Sequence, residues 1–333
     1  MTDLLKDALV LDLEAKAAEL AGALRTAVLQ RLRRRGVVVA ISGGIDSACV
    51  AALSVRALGA GRVFGLLLPE RDSSPESLVY GRALCEQFGI QYEVHDIAPM
   101  LDATGCYRMR NDAVRLVFPE FEPDMPWKIV LASDPLQGEL LHFFQLVVRA
   151  RSGEELRFRL PPRAYLEIVA ATNFKQRIRK MMEYYQADRL SYAVAGTPNR
   201  LEYDQGFFVK LGDGAADVKP IAGLYKSQVY ALARHLGVAD EILRRAPTTD
   251  TFSLAQSQED FYYSLDYSRL DLVLWAKNHG VSHDVIASYL GMTTEQVSRI
   301  CEDIDQKRRA TTYLHAPPLL LEPVAELSGL PSG

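Results

Sequence analysis

The sequence is poor in the features that mark several large classes of protein. It has four cysteines in 333 residues and no CxxC pair, which indicates neither a zinc site nor a disulfide framework. Reduced thiols of this kind are typical of a cytoplasmic protein, which we expect here. No apolar run approaches the roughly 18 residues of a membrane span, and the N-terminal segment lacks the apolar core of a signal peptide. With 38 basic and 42 acidic residues the net charge is −4, which argues against a general binder of nucleic acids or anionic membranes.

Apolar residues make up 48% of the chain, enough for a sizeable core without metal or disulfide staples. We predict a single domain over residues 1–333 with three distinctive segments. Residues 1–36 carry apolar positions at helical spacing, and a glycine suits the end of that helix. This N-terminal helix has no obvious partner within a sheet, which favours a dimer contact. Residues 103–165 interrupt the pattern as an insertion, and residues 250–315 form a helical C-terminal region.

Strand and helix patterns alternate in the first hundred residues. Strand-like segments at 37–41, 62–69 and 90–97 are separated by helical stretches. Such alternation is typical of a Rossmann-like, doubly wound α/β fold with a parallel sheet. Within the insertion, an alternating segment turns at Ser152-Gly153, which predicts an inserted β-hairpin.

The first strand is followed by a loop with the sequence SGGIDS, residues 42–47. Its two glycines let the backbone approach an anion, and their N–H groups with the helix N-terminus form a nest for phosphate oxygens. Asp46 would repel phosphate, so its presence predicts a bridging divalent cation. The loop lacks the lysine of a Walker A motif. A tight Gly-Gly turn with a serine cap is the alternative interpretation.

This loop resembles that of the N-type ATP pyrophosphatases, which activate a substrate by adenylation. The second half of the chain is similar to the NAD synthetase family. GTPNRLE (196–202), GFFVKLGDGAAD (206–217), Lys226 and APTTD (246–250) occur in the order of that family's motifs. The resemblance covers about residues 10–100 and 165–310.

The resemblance implies roles for individual residues. ATP would be bound by Ser42, Gly43, Gly44, Asp46, Ser47, Thr197, Lys226 and Thr248. Deamido-NAD would be bound by Arg177, Lys210, Asp217 and Lys307. Mg²⁺ would be held by Asp46 and Glu202, and Asp46, Lys226 and Asp213 would be the catalytic residues. These residue types suit the chemistry, because adenylation builds charge on phosphate oxygens. Taken singly, Lys226 could also be a solvated helix lysine, and Asp213 and Asp217 could be turn formers.

The function implied is that of an ammonia-dependent NAD synthetase. ATP adenylates the nicotinate carboxylate of deamido-NAD, and ammonia then displaces AMP, giving NAD, AMP and pyrophosphate. Only some 36 residues precede the first strand, too few for a glutaminase domain. We therefore expect free ammonia, or ammonia from a separate glutaminase. The family resemblance also implies a homodimer with deamido-NAD sites at the subunit interface.

Two alternatives stay open. Val209 stands where the family usually has threonine and Gln306 where histidine is common, and the insertion lies just before Arg177. These departures favour a related amide ligase acting on another carboxylate. Residues 281–304 also have the look of a helix-turn-helix, but the acids on its second helix disfavour DNA binding. We expect the insertion to lie beside the substrate entrance, as a lid or a docking surface for an ammonia-supplying partner.

Overall fold

Four short strands form a parallel sheet, as predicted, in a computed structural model that describes residues 5–131, 144–245, 252–254 and 265–322. In chain order the strands are β1 (Val37–Ala40), β2 (Val63–Leu67), β3 (Gln91–Val94), β4 (Trp127–Leu131), β5 (Phe144–Arg149), β6 (Glu155–Arg159) and β7 (Ala193–Ala195). The parallel sheet has the order β3-β2-β1-β7. The predicted fold class is confirmed, although the strands are shorter than their apolar runs.

Helices cover both faces of this sheet and also make up the C-terminal region. They are α1 (Leu13–Thr26), α2 (Ile45–Leu58), α3 (Pro75–Phe88), α4 (Ala98–Ala103), α5 (Cys106–Arg115), α6 (Pro162–Leu190), α7 (Arg200–Gln205), α8 (Lys226–His235), α9 (Asp240–Leu243), α10 (Tyr267–Asn278), α11 (His283–Leu290) and α12 (Thr294–His315). Val37 and Val39 of β1 pack in a core with α1, α2 and α8, whereas Val38 packs with α4 and α6 on the other face. The alternation of side chains along a buried strand therefore produces three layers.

The premise that the N-terminal helix lacks a partner is wrong. Ala17, Leu24 and Val28 are buried in the main core against α2. The apolar stripe is thus covered within the chain. The helix also ends before Gly36, through a π-helical turn at Ala27–Arg31, and Gly36 is instead required because a Cβ there would collide with a neighbouring carbonyl oxygen.

The inserted hairpin is confirmed and is part of a larger sheet. β5 and β6 pair antiparallel around a turn in which Gly153 has φ +89° and its N–H donates to the Ala150 carbonyl at 2.8 Å. β4 adds a third strand that the sequence pattern did not reveal. Trp127 and Ile129 of β4 are buried in a core of their own beneath the sheet. The start of the insertion is helical: it forms α5, which packs against α6.

Helices α10 to α12 form a separate small core at the C-terminal end. α11 ends at Gly291, with φ +65°, and α12 follows, so the helix–turn–helix outline is present. Thr311, Tyr313 and Leu314, near the end of α12, line the central cavity. This helix is therefore a wall of the candidate site. Among the residues that the structure describes, no helix combines the length and apolar character needed to cross a membrane.

Candidate active site

A cavity of about 630 Å³ opens at the carboxyl ends of the parallel strands, where ligands bind in open α/β sheets. Its floor comes from the loops after β1, β2 and β7. One wall comes from α6, and Phe144 of the insertion also lines it. Of the predicted site residues, the cavity brings together Ser42, Gly44, Asp46, Ser47, Arg177, Thr197, Glu202, Lys210, Asp213 and Lys226.

The phosphate-binding loop predicted at 42–47 is held by its own serines. The Ser42 N–H donates to Ser47 Oγ at 3.3 Å, and Ser47 Oγ donates to the Gly44 carbonyl at 2.9 Å. Gly43 has φ +74°, and a Cβ there would lie 2.5 Å from the Ser77 carbonyl oxygen. Both conditions require glycine. Gly44 is the N-cap of α2, so the positive end of that helix faces the cavity.

Asp46 is held by two side chains that are distant in sequence. Lys226 Nζ donates to Asp46 Oδ2 at 2.5 Å, and Asn199 Nδ2 donates to Oδ1 at 3.0 Å. The Lys226 side chain is 1% exposed, which excludes the solvated-lysine alternative. Burial disfavours its charge, but the carboxylates of Asp46 and Glu202 outweigh burial and raise the pKa of Lys226. A fixed ammonium therefore stands beside the phosphate loop.

Lys226 is positioned by a buried carboxylate. Asp271 of α10 accepts from the Lys226 N–H at 3.2 Å and the Ser227 N–H at 2.7 Å, at the first turn of α8. Burial raises the pKa of Asp271. The C-terminal core thus fixes the start of the helix that carries Lys226.

Asp46 and Glu202 suit a magnesium ion that is shared with phosphate. Asn199 caps α7, and its N–H donates to Glu202 Oε2 at 3.1 Å while its amide reaches Asp46. Two carboxylates are thus bridged by one residue within the cavity. No cluster of three or more metal-ligating side chains occurs in the described part of the chain. Mg²⁺ commonly uses one or two carboxylates with substrate phosphates, so the donor set fits.

Asp213 lies deeper, near a buried ion pair of α6. Its Oδ1 accepts from the Val209 N–H at 2.8 Å, which is the turn-forming role that the sequence also allowed. Lys180 and Glu183 pair at 2.7 Å with side chains about 5% exposed, and both line the cavity. Burial raises the pKa of Asp213 and of Glu183. The acids of this subsite are thus shifted towards the neutral form.

The residues predicted to bind deamido-NAD separate into two groups. Arg177 donates to the Lys210 carbonyl at 3.4 Å, and Lys210 Nζ donates to the Tyr313 carbonyl at 2.6 Å, so this pair lines the cavity together. Asp217 instead accepts from the Val194 N–H at 2.7 Å, outside the cavity lining. Lys307 pairs with a neighbouring aspartate on α12, also outside it. Thr248 lies outside the described residues.

Sequence reasoning missed several residues of the site. Asn199 had a readable signal, since Asn199 and Glu202 have the spacing of a capping box. Lys175 had none. It is 1% exposed and reaches Glu70 Oε1 at 2.9 Å and Asp72 Oδ2 at 2.6 Å, on the loop after β2. Arg245, on the segment after α9, also lines the cavity.

The parallel sheet, with a glycine-rich loop after β1 and cations at the carboxyl ends of its strands, has the architecture of an α/β protein with its site at that edge. The comparison with protein families then identifies the group. A model described as NAD synthase matches residues 17–117 and 157–311. The chain belongs to the NAD synthase family. The unmatched residues 118–156 include most of the antiparallel sheet.

Individual relatives agree with this assignment. The chain is 54% identical over 321 residues to an NH(3)-dependent NAD(+) synthetase of Rhizobium meliloti, covering 96% of each chain. In fold it is similar to an NMN synthetase of Francisella tularensis, with a TM-score of 0.63 and 22% identity over 93% of this chain and 98% of that one. An NH3-dependent NAD synthetase of Campylobacter jejuni has a TM-score of 0.61 and 22% identity, over 94% and 100% of the two chains.

Proposed function

We infer that this protein is an ammonia-dependent NAD synthetase, a ligase that forms a C–N bond. It uses ATP and ammonia to convert the carboxylate of deamido-NAD into the amide of NAD. The observation that carries the inference is the convergence of the 42–47 loop, Glu202 and Lys226 in one cavity, in a chain 54% identical to an enzyme of that name. The rival, an amide ligase for another carboxylate, has the departures at Val209 and Gln306 as its support.

Adenylation is the first step. A carboxylate oxygen of deamido-NAD bonds to the α-phosphorus of ATP, and pyrophosphate leaves with the electron pair of the broken bond. The backbone N–H groups of the 42–47 loop and the ammonium of Lys226 stabilise the charge on the phosphate oxygens. In the second step the nitrogen of ammonia attacks the acyl carbon, AMP leaves, and one proton is released. Asp213 lies in the cavity and serves as a polar group beside the reacting centre.

We propose that Asp46 and Glu202 hold Mg²⁺ together with the phosphates of ATP. An ion held there would supply charge neutralisation on the phosphate oxygens. The Asp46 carboxylate accepts hydrogen bonds from Lys226 and Asn199, which fix its orientation. Thr248 is proposed as a further ATP contact.

The dinucleotide is proposed to extend beyond the cavity of one chain. Arg177 and Lys210 line the cavity, whereas Asp217 and Lys307 do not. If all four bind deamido-NAD, the ligand extends beyond this cavity to the exposed Asp217, which favours a homodimer with a shared site. We propose free ammonia, or ammonia delivered by a separate glutaminase, as the nitrogen source, and the cytoplasm as the location.

The function is tested with purified protein, ATP, Mg²⁺ and ammonium. We expect NAD, AMP and pyrophosphate to form in equal amounts from deamido-NAD. A panel of other carboxylates, including nicotinate mononucleotide, is the matched comparison. A higher kcat/KM for another carboxylate would favour the rival ligase, and no amide with any member of the panel would contradict both.

A further inference from the structure

Arg245 lies where the loop after β1 meets the start of α3, and it is not among the predicted ATP contacts. Its guanidinium donates to the Gly43 carbonyl at 3.2 Å and to Ser77 Oγ at 2.8 Å, and its Cζ lies 5.6 Å from the centre of the Tyr80 ring. Gly43 belongs to the phosphate loop, and Ser77 belongs to the first turn of α3. The same guanidinium therefore joins the loops after β1 and β2.

This junction brings two helix N-termini to the cavity. Gly44 is the N-cap of α2 and Ser74 is the N-cap of α3, and both residues line the cavity. The backbones are in close contact here, since only glycine fits at position 43 beside the Ser77 carbonyl. Both helices have 14 residues, so the N-terminus of each carries the partial positive charge of a helix dipole. The junction thus favours an anion.

The phosphate loop has a second cation, Lys226, on the side opposite to Arg245. Lys226 reaches Asp46 together with Asn199, which follows β7, whereas Arg245 reaches residues after β1 and β2. In the sheet order β2-β1-β7 these positions flank the loop. The Arg245 guanidinium lines the cavity beside the phosphate loop, and its planar fork of N–H donors has the geometry that suits phosphate oxygens.

We propose that Arg245 is a further catalytic residue, which contacts the β- and γ-phosphates of ATP and stabilises the leaving pyrophosphate. This rests on the ATP half of the proposed function. As the acceptor oxygen bonds to the α-phosphorus, the bond from that phosphorus to the bridging oxygen breaks, and its electron pair goes to pyrophosphate. Arg245 donates hydrogen bonds to that developing charge. No proton transfer or redox change is needed.

The test compares Arg245→Met and Arg245→Lys with Arg244→Met as the matched control. Arg244 is 81% exposed and pairs with Asp240 at 2.8 Å on the surface. Binding of magnesium pyrophosphate and of AMP is measured by calorimetry, and pyrophosphate release by rapid quench. In Arg245→Met we expect pyrophosphate affinity to fall about 10-fold to 100-fold, as for loss of a charged hydrogen bond. AMP affinity should be unchanged, Arg245→Lys should recover part of the loss, and Arg244→Met should match the wild type.

The two readouts separate contact with pyrophosphate from a purely structural role. If Arg245 only ties the two loops together, its loss weakens AMP and pyrophosphate equally, and the proposal is overturned. Unchanged pyrophosphate affinity and release in Arg245→Met also overturn it. If Arg245→Met does not fold, Arg245→Lys decides the question. Pyrophosphate affinity and a rate of pyrophosphate release equal to those of the wild type in that variant would contradict a contact that needs the planar guanidinium. A wild-type protein that binds pyrophosphate but forms no NAD would contradict the proposed function alone.

Discussion

Asp46 has one set of contacts in the structure and is proposed to gain another in the complex with ATP and Mg²⁺. In the structure it accepts from Lys226 and Asn199. In the proposed complex it also holds Mg²⁺ against the phosphates, so its negative charge matters more than its shape. Asn199 keeps the amide contact in either state, because its position is set by the cap of α7.

The residue-scale prediction is therefore made on Asp46→Asn, which keeps the shape and removes the charge. We expect turnover to fall about 10²- to 10³-fold, as for loss of one electrostatic contact to a transition state. Steady-state NAD formation measures it, with melting temperature as the check of folding. Asp240→Asn, on an aspartate that is 63% exposed, is the matched control. Near-normal turnover in Asp46→Asn would contradict the metal assignment.

At the scale of elements, a buried ion network fixes the loop after β2 to α5 and α6. Asp72 Oδ2 accepts from Arg110 at 2.5 Å and from Lys175 at 2.6 Å, and Tyr107 Oη donates to Glu70 Oε2 at 2.9 Å. All of these side chains are buried or nearly so. The first helix of the insertion thereby holds the loop whose next residues line the cavity.

Arg110→Met should destabilise the fold, because it leaves a buried carboxylate with one partner fewer. We expect a loss of about 3 kcal/mol in the free energy of unfolding, the lower end for a broken buried pair, since Lys175 remains. Urea unfolding measures it. Arg108→Met on the same helix is the control, because Arg108 is 70% exposed and should cost at most about 1 kcal/mol. Equal stabilities of the two variants would show that the network contributes little.

The same network predicts a pH dependence. Burial alone would raise the pKa of Asp72, but Lys175 and Arg110 outweigh it and the pKa is lowered. A carboxyl with a lowered folded pKa contributes stability above its unfolded pKa of about 3.9, and this is lost as pH falls through the folded pKa. In Arg110→Met the folded pKa is lowered less, so acid unfolding should lose this contribution at higher pH. Parallel acid-unfolding curves for the variant and wild type would argue against this.

At the scale of the whole molecule, the predicted dinucleotide contacts are divided between residues that line the cavity and residues that lie outside it. Asp217 and Lys307 lie outside the cavity lining, and the N-terminal helix is buried in its own chain. A dimer contact must therefore use another surface than the apolar stripe of α1. A shared site remains the physical reason to expect two chains.

We predict a homodimer. Light scattering over a dilution series should give twice the mass of one chain at working concentration. Deamido-NAD should shift a dissociating sample back towards the dimer, because a ligand that binds only the assembled state stabilises it. A constant single-chain mass, with and without deamido-NAD, would contradict the shared site.

The local pattern of the sequence was sufficient for the sheet, the glycine-rich loop and the hairpin. A buried β-branched run such as 37–41 favours a parallel strand, and the two glycines before Asp46 predict a tight loop at its end, with an anion-binding role that stays a prediction. Ser152-Gly153 likewise marks its own turn. These features depend on neighbours within a few residues, which is why a single sequence contains them.

What only the tertiary structure decided are the contacts between distant segments. The residues next to Lys175, Arg110 and Arg245 do not indicate which distant groups they contact, because those groups lie on segments that only the fold brings close. The third strand of the insertion and the burial of α1 have the same cause, since an apolar stripe does not say which surface covers it. The sequence determined which chemistry is present, and the packing determined which charges meet.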